Sequence, residues 1–213
     1  IFFFDIDNCL YDISSGISDI MSKKIAQYGE FIGLPKDKVE QISYSYYREY
    51  GLAIRGFIKH HDIDPVHYDE NVDQSLPLES LLKYDPNLRN MLLKIKMRRW
   101  AFTNANKIHA ERVLRILGIE DLFEGVTYCD YTEPNFACKP ELPAYEKAMK
   151  EARVNFPTLC FFADDSKKNL DAAKQLGWTT ILVTGKNNPK QDGDHLAISS
   201  ILELPEILPE IFD

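Results

Sequence analysis

Four short segments carry side chains that could do chemistry together. The chain opens IFFFDIDN, an apolar run that ends in two aspartates, Asp5 and Asp7. WAFTNA, 100–105, offers Thr103 and Asn104, small polar groups suited to holding phosphate oxygens. CKP puts Lys139 directly before a proline at the mouth of a helix, and CFFADDSKKN repeats the opening, an apolar run closing on Asp164 and Asp165 with Ser166 and Asn169 behind them. Taken singly, each has an ordinary reading: a helix cap or turn for the acids and the Thr-Asn pair, a solvated surface charge for the lysine. Taken together they crowd negative charge, since two carboxylates about 4 Å apart repel by roughly 4 kcal/mol at an effective dielectric near 20. A cation must then accompany them. An all-oxygen donor set without clustered Cys or His favours magnesium over zinc, and Lys139 supplies a second positive charge.

The elements that would deliver these groups are legible in the periodicity. Strand-like runs fall at Ile1–Phe4, Trp100–Thr103, Gly125–Tyr128, Leu159–Ala163 and Thr180–Val183. Helix-period stretches lie between the later ones: Ala110–Leu117 stopping at Gly118, Pro143–Ala152, and Lys168–Leu176 closing at Gly177. Alternation of this kind predicts an α/β fold with a doubly wound parallel sheet, whose ligands gather at the carboxyl ends of the strands. Residues i and i+2 of an extended segment face one side, so Asp5 and Asp7 are expected to project together from the first strand. Between the first and second strands, from Ser18 to about Lys96, only helical periodicity appears. That stretch reads as an all-helical cap, 16–85, set over a core of 1–15 and 86–213, with hinges near Leu10–Ser15 and Tyr84–Asn87. The junction Lys96-Met97-Arg98-Arg99-Trp100 has no turn residue and predicts an unusually tight connection.

The totals narrow the class. With 213 residues, 45% hydrophobic and 27% charged, the chain has the balance of a soluble globular protein, and its apolar runs are too short to cross a bilayer. A net charge of −8 excludes a broad surface for polymeric nucleic acid and leaves room for a small anion held by a few local cations. Four cysteines without a CxxC pair, and no N-x-[ST] sequon, point to a reduced compartment, the cytoplasm or also the nucleus; no membrane attachment is expected, and a monomer is favoured with the oligomeric state left open. A strand beginning at residue 1 predicts that the natural chain starts further upstream.

In order, DIDN, FTN, CKP and ADDS, with a helical insert after the first, resemble the haloacid dehalogenase-like phosphohydrolase superfamily over nearly the whole chain. The resemblance implies Asp5 as the nucleophile that becomes an aspartyl phosphate, and Asp7 as the acid and base for leaving group and water. It implies Thr103, Asn104 and Lys139 on the phosphate, and a magnesium site from Asp5, the Asp7 carbonyl, Asp164 and Asp165. Cys9 stands where this family often has Thr; it reads as a small buried residue or as an oxidation-sensitive one. Further stretches, among them SYYREYGLAIRG, DQSLPLE, GIEDLFEG and TYCDY, are similar to the fungal pyrimidine 5′-nucleotidases of that superfamily, which implies UMP and CMP as substrates.

The cap is expected to choose the substrate. Tyr47, Tyr50 and Arg55 could form an aromatic wall and a cation for a nucleobase and phosphate, or simply an amphipathic helix with half-buried tyrosines. Lysophosphatidic acid is the competing substrate, a phosphomutase shares Asp7, and a phospho-receiver module uses similar residues in a shorter chain without the insert. The five histidines suggest no role, His60 and His61 ending a helix. TGKNN, 184–188, lacks the glycine of a P-loop and reads as a surface loop.

Overall fold

A computed structural model describes residues 1–185 and 193–212. Six strands, β1 (Phe2–Phe4), β2 (Arg99–Phe102), β3 (Val126–Thr127), β4 (Phe161–Asp164), β5 (Thr179–Val183) and β6 (Leu196–Ile198), form one parallel sheet in the order β3-β2-β1-β4-β5-β6. β1 is central: the chain runs from it to β2 and β3 on one side, then crosses back to β4, β5 and β6 on the other, so the carboxyl end of β1 lies at the switch point of the sheet. The strand FFF is apolar throughout because both faces of a parallel sheet are covered. Phe2 and Phe4 enter the core on one face and Phe3 the core on the other, each fully buried. Each such side chain contributes about 1.5–3 kcal/mol by leaving water.

The first face packs against α6 (Pro86–Leu93), α7 (Lys107–Leu117) and α10 (Leu204–Ile207); the second packs against α8 (Leu142–Glu151) and α9 (Lys167–Gln175). Starts are set by side-chain caps. Asp85 accepts from the N–H of Asn87 and Leu88 ahead of α6, and Asn106 accepts from the N–H of His109 at the head of α7. Gly118 stops α7 at φ 72°, a left-handed conformation that costs glycine nothing. The connection to β2 is tight, as its composition suggests: Lys96 N–H bonds the Ile211 carbonyl, and Ile95 bridges Phe212. The C-terminal segment thus closes the missing turn. β6 was not legible in the sequence, and the expected start of β4 at Leu159 is instead a short 3-10 turn, Pro157–Leu159.

Between β1 and β2 the described chain is helical: α1 (Ile17–Phe31), α2 (Val39–Tyr50), α3 (Ala53–His61), α4 (Pro65–Asn71) and the single turn α5 (Leu78–Leu81). α2 and α3 meet closely because Gly56 has no side chain; a methyl group there would occupy the ring of Tyr46. Tyr28, Ile54, Phe57, Tyr68 and Val72 share a core with Tyr131 and Phe136, whereas Leu76, Leu78 and Leu82 pack with the sheet. These three leucines lie inside the expected cap, 16–85, and contribute to the core on the sheet. No helix among the described residues is long and apolar enough to cross a membrane.

Candidate active site

The strand expected to carry both aspartates ends at Phe4. Asp5 N–H still bonds the Ala163 carbonyl, but the chain then turns, Leu10 N–H reaching back to the Ile6 carbonyl and Asn8 taking φ 58°. Asp5 and Asp7 both line one cavity, brought there by a turn and not by strand alternation. The cavity measures about 820 Å³ and runs from the carboxyl end of β1 up to α1 and α2.

Lys139 is the hub of its floor. The side chain is 1% exposed, and Nζ lies 3.0 Å from Asp5 Oδ1, 2.7 Å from Asp164 Oδ2 and 2.8 Å from the Phe102 carbonyl. The rings of Phe102 and Phe162 flank it at 5.1 Å. Burial alone would push the lysine pKa down, but Asp164 and Asp5 outweigh it and hold the ammonium charged above its ordinary value. Asp164 is fully buried and bonded at both oxygens: Oδ1 accepts from Ser166 N–H and Asn169, and Oδ2 from Lys139 and Asn169. Its first task is to aim the lysine.

Asp5 and Asp165 lack such compensation. Burial pushes Asp5 well above the usual carboxylate range against the pull of Lys139, and the charges of Asp164 and Asp165 add to it. Asp165, which accepts from Asn8, is pushed up to about 7 by burial and by Asp164. One oxygen each from Asp5, Asp164 and Asp165 lie within 4.8 Å of one another. That excess of unneutralised oxygen fits a hard divalent cation such as magnesium, to which the Asp7 main-chain carbonyl could add a further donor. The Asp7 side chain is committed elsewhere, as described next.

His109 Nε2 lies 2.7 Å from Asp7 Oδ1, and the Tyr11 hydroxyl donates to the same oxygen at 2.6 Å. Burial would raise the Asp7 pKa; His109 and Tyr11 outweigh it and keep the carboxyl below its usual range. No spacing in the sequence links residues 109 and 7. The signal that could have found the histidine is its place in the first turn of a helix starting at the carboxyl end of β2, the edge where this sheet collects ligands.

The remaining expected residues divide. Thr103 is buried and lines the cavity, its hydroxyl accepting from Ala105 N–H. Asn104 also lines it, but its amide is spent on the lysine main chain, Nδ2 donating to the Lys139 carbonyl and Oδ1 accepting from Lys139 N–H. The Asn104 side chain is thus engaged within the protein. Tyr47 reaches the cavity from α2. Tyr50 and Arg55 do not line it, which corrects their expected role as substrate contacts. The Tyr50 hydroxyl pairs with His60, and Arg55 Nη1 is held by Glu141 Oε1 and the Tyr50 carbonyl, both at 2.7 Å. Arg55 instead ties α3 to the segment behind Lys139, beside Gly51, whose missing side chain admits the Cys138 thiol. Cys9 is buried with its Sγ toward the Ala163 carbonyl, and burial and the nearby carboxylates push its thiol up, which favours the inert reading. All four cysteines are free and buried. Of the TGKNN segment, residues 186–188 lie outside the described residues.

A parallel sheet with paired carboxylates and a buried lysine at its switch point points to one class of hydrolase. The chain belongs to the haloacid dehalogenase-like hydrolases, whose family model matches residues 1–177. It is 36% identical over 233 residues to Phosphate metabolism protein 8 of Saccharomyces cerevisiae, spanning 98% of this chain and 72% of that protein. Among solved structures, a HAD phosphatase from Thermococcus onnurineus matches with a TM-score of 0.65 at 19% identity, over 97% of this chain and 96% of that one. A β-phosphoglucomutase from Clostridium difficile matches with a TM-score of 0.64 at 20% identity, over 98% and 95%. At such identities the two structures speak for the fold.

Proposed function

We propose that this protein is a magnesium-dependent phosphomonoesterase acting on nucleoside 5′-monophosphates, with the pyrimidine nucleotides UMP and CMP as its substrates. The observation that carries the reading is the buried Asp5–Lys139–Asp164 chain at the floor of a nucleotide-sized cavity. An Asp5 oxygen attacks phosphorus, the bond from phosphorus to the ester oxygen breaks, and Asp7 gives that oxygen its proton. Water then attacks the aspartyl phosphate, Asp7 takes up the water's proton, and phosphate leaves with Asp5 restored. Lys139 and Thr103 would meet the charge on the transferring group. Asp5, Asp164, Asp165 and the Asp7 carbonyl would hold magnesium, which when bound supplies positive charge to the nucleophile and the phosphoryl oxygens.

The cavity walls favour a nucleotide over a lipid phosphate. Ile17, Met21, Ile25 and Ile54 are interrupted by Ser43, Tyr44, Tyr47 and Asp73. The Ser43 hydroxyl is buried with no hydrogen-bond partner among the described residues, and Asp73 is 3% exposed. An acyl chain would leave the Ser43 hydroxyl stranded, at about 1–3 kcal/mol, whereas a sugar or base can pair with it. The pyrimidine preference rests on the sequence resemblance. Phosphate release from UMP, CMP, AMP, GMP, lysophosphatidic acid and a sugar phosphate, with and without magnesium, tests the reading. UMP and CMP are expected to lead, with release lost in Asp5→Asn; preference for the lipid would discard the nucleotidase and keep the phosphatase.

A further inference from the structure

His109 is the buried group that the reaction scheme leaves without a task. It is 1% exposed, and its Nε2 and the Tyr11 hydroxyl converge on a single oxygen, Asp7 Oδ1. A carboxylate oxygen can only accept, so Nε2 carries a proton. The other ring nitrogen, Nδ1, is buried with no hydrogen-bond partner among the described residues. A ring that strands one nitrogen is retained for what its other nitrogen does. Its position is also fixed twice over. Asn106 accepts from His109 N–H at 2.9 Å, and the same Asn106 side chain donates to Asp69 in the cap. Two donors on Oδ1 set the rotation of the carboxyl group. Oδ2 has no hydrogen-bond partner among the described residues, in a side chain that faces the cavity beside Asp5.

We propose that His109 is a positioning residue which, with Tyr11, clamps Asp7 by Oδ1 so that Oδ2 is the oxygen that exchanges a proton with the leaving group. The phosphate ester arriving as its monoanion supplies the proton, which passes to Oδ2 on binding; as the bond from phosphorus to the ester oxygen breaks, its electron pair stays on that oxygen and the proton moves from Oδ2 to it. The charge left on Asp7 is met at Oδ1 by the two donors already in place. The inference rests on the phosphomonoesterase part of the proposed function and is independent of the nucleotide part.

The test compares two esters. An alkoxide leaves poorly without a proton, while nitrophenolate leaves readily without one. For wild type, His109→Leu and His109→Gln, kcat/KM is measured on a simple alkyl phosphate and on p-nitrophenyl phosphate; this ratio covers the steps through phosphoryl transfer to Asp5 and excludes the later hydrolysis. Leucine keeps much of the volume and has no donor; glutamine can set an amide N–H close to the place of Nε2. His109→Leu is expected to lose about 100-fold on the alkyl ester and under about fivefold on the aryl ester, with His109→Gln recovering about tenfold of the alkyl loss. Equal losses on both esters, or an undiminished alkyl rate, overturn the proposal. Thermal melts establish that the variants are folded; should the leucine variant fail, His109→Asn replaces it, its shorter amide falling short of Asp7, under the same comparison. A wild type inactive on both esters and on UMP, itself an alkyl phosphate, overturns this proposal and the phosphatase reading together. A wild type that prefers a non-nucleotide alkyl ester overturns the nucleotide reading alone.

Discussion

The floor of the cavity and its roof hold their polar groups in opposite ways. On the floor most polar groups are held before any substrate arrives, with an excess of carboxylate from Asp5 and Asp165 left for a cation: Lys139 bonds two carboxylates and a carbonyl, Asp164 accepts at both oxygens, and Asp7 accepts twice at one. On the roof, Ser43 has a buried hydroxyl without a partner, and Tyr44 and Tyr47 stand half in solvent. A preorganised floor suits chemistry common to any phosphomonoester, because fixed dipoles need not reorganise during the reaction. An unsatisfied roof suits selection, because a ligand that completes its hydrogen bonds gains what another forfeits. The difference predicts that floor variants lower turnover whatever sugar or base the ester carries, differing only where leaving groups differ in their need for a proton, and that roof variants change the ranking among esters with the same kind of leaving group.

The largest effect belongs to Asp5→Asn, expected to lower kcat by about 10⁴-fold or more on every ester with substrate binding largely kept, measured by phosphate release and by nucleotide titration. Losses differing between esters with the same kind of leaving group would break the division between floor and roof. Next comes Lys139→Met. Removing one partner of a buried ionic cluster leaves Asp5 and Asp164 uncompensated, so urea unfolding without magnesium is expected to show a loss of about 3–5 kcal/mol. Magnesium should act in the opposite sense on the wild type. At about 100 times its Kd it adds roughly 2.7 kcal/mol of stability, and Asp165→Asn should remove most of that gain. An unchanged melting temperature with magnesium would mean that the acidic cluster holds no cation.

Where floor meets roof, Asp73 gives a pH-dependent intermediate case. Burial pushes its carboxyl up to about 7, against the pull of His109 and with the push of Asp69, while Tyr131 donates to it. An unfolded aspartate titrates near 3.9, so between about pH 4 and pH 7 the folded state keeps a proton that the unfolded state has lost. Stability therefore falls as pH rises through that window. Asp73→Asn removes the fall and should stabilise at pH 8 by about 2 kcal/mol, below the linkage limit of roughly 4 because His109 loses a favourable neighbour. At pH 4 the two proteins should unfold alike. A constant difference across that range would show that Asp73 does not titrate in it.

The division between floor and roof also explains how much of the molecule was legible in its sequence. Floor residues sit at strand ends, and an apolar run closing on acids or on Thr-Asn can be read in a linear string; the sheet, its helices and Asp5, Asp7, Thr103, Lys139, Asp164 and Asp165 were found that way. Tyr50 and Arg55 were misjudged because helical periodicity gives a face without saying what that face meets, and here it meets His60 and Glu141. His109 was missed because its partner is 102 residues away and one helical turn of register decides the contact. Asn104 was found in the right place but with its side chain engaged within the protein, since a side-chain amide paired to a lysine main chain leaves no trace in composition.

The smallest expected effect is the most selective. Ser43→Ala removes one hydroxyl from the roof and touches nothing on the floor. If a sugar or base completes the serine's hydrogen bond, KM for the nucleotide should rise by about five- to tenfold with kcat almost unchanged, the worth of one neutral hydrogen bond near 1 kcal/mol. A small ester such as p-nitrophenyl phosphate, too short to reach α2 from Asp5, should be unaffected. The protein itself should be slightly stabilised, because the deleted hydroxyl was buried without a partner and its desolvation cost disappears. Stability and nucleotide affinity therefore move in opposite directions in one variant. A gain in stability with unchanged nucleotide KM would assign Ser43 to packing alone and shift the selective role toward Tyr47, the other α2 side chain expected from the sequence that lines the cavity.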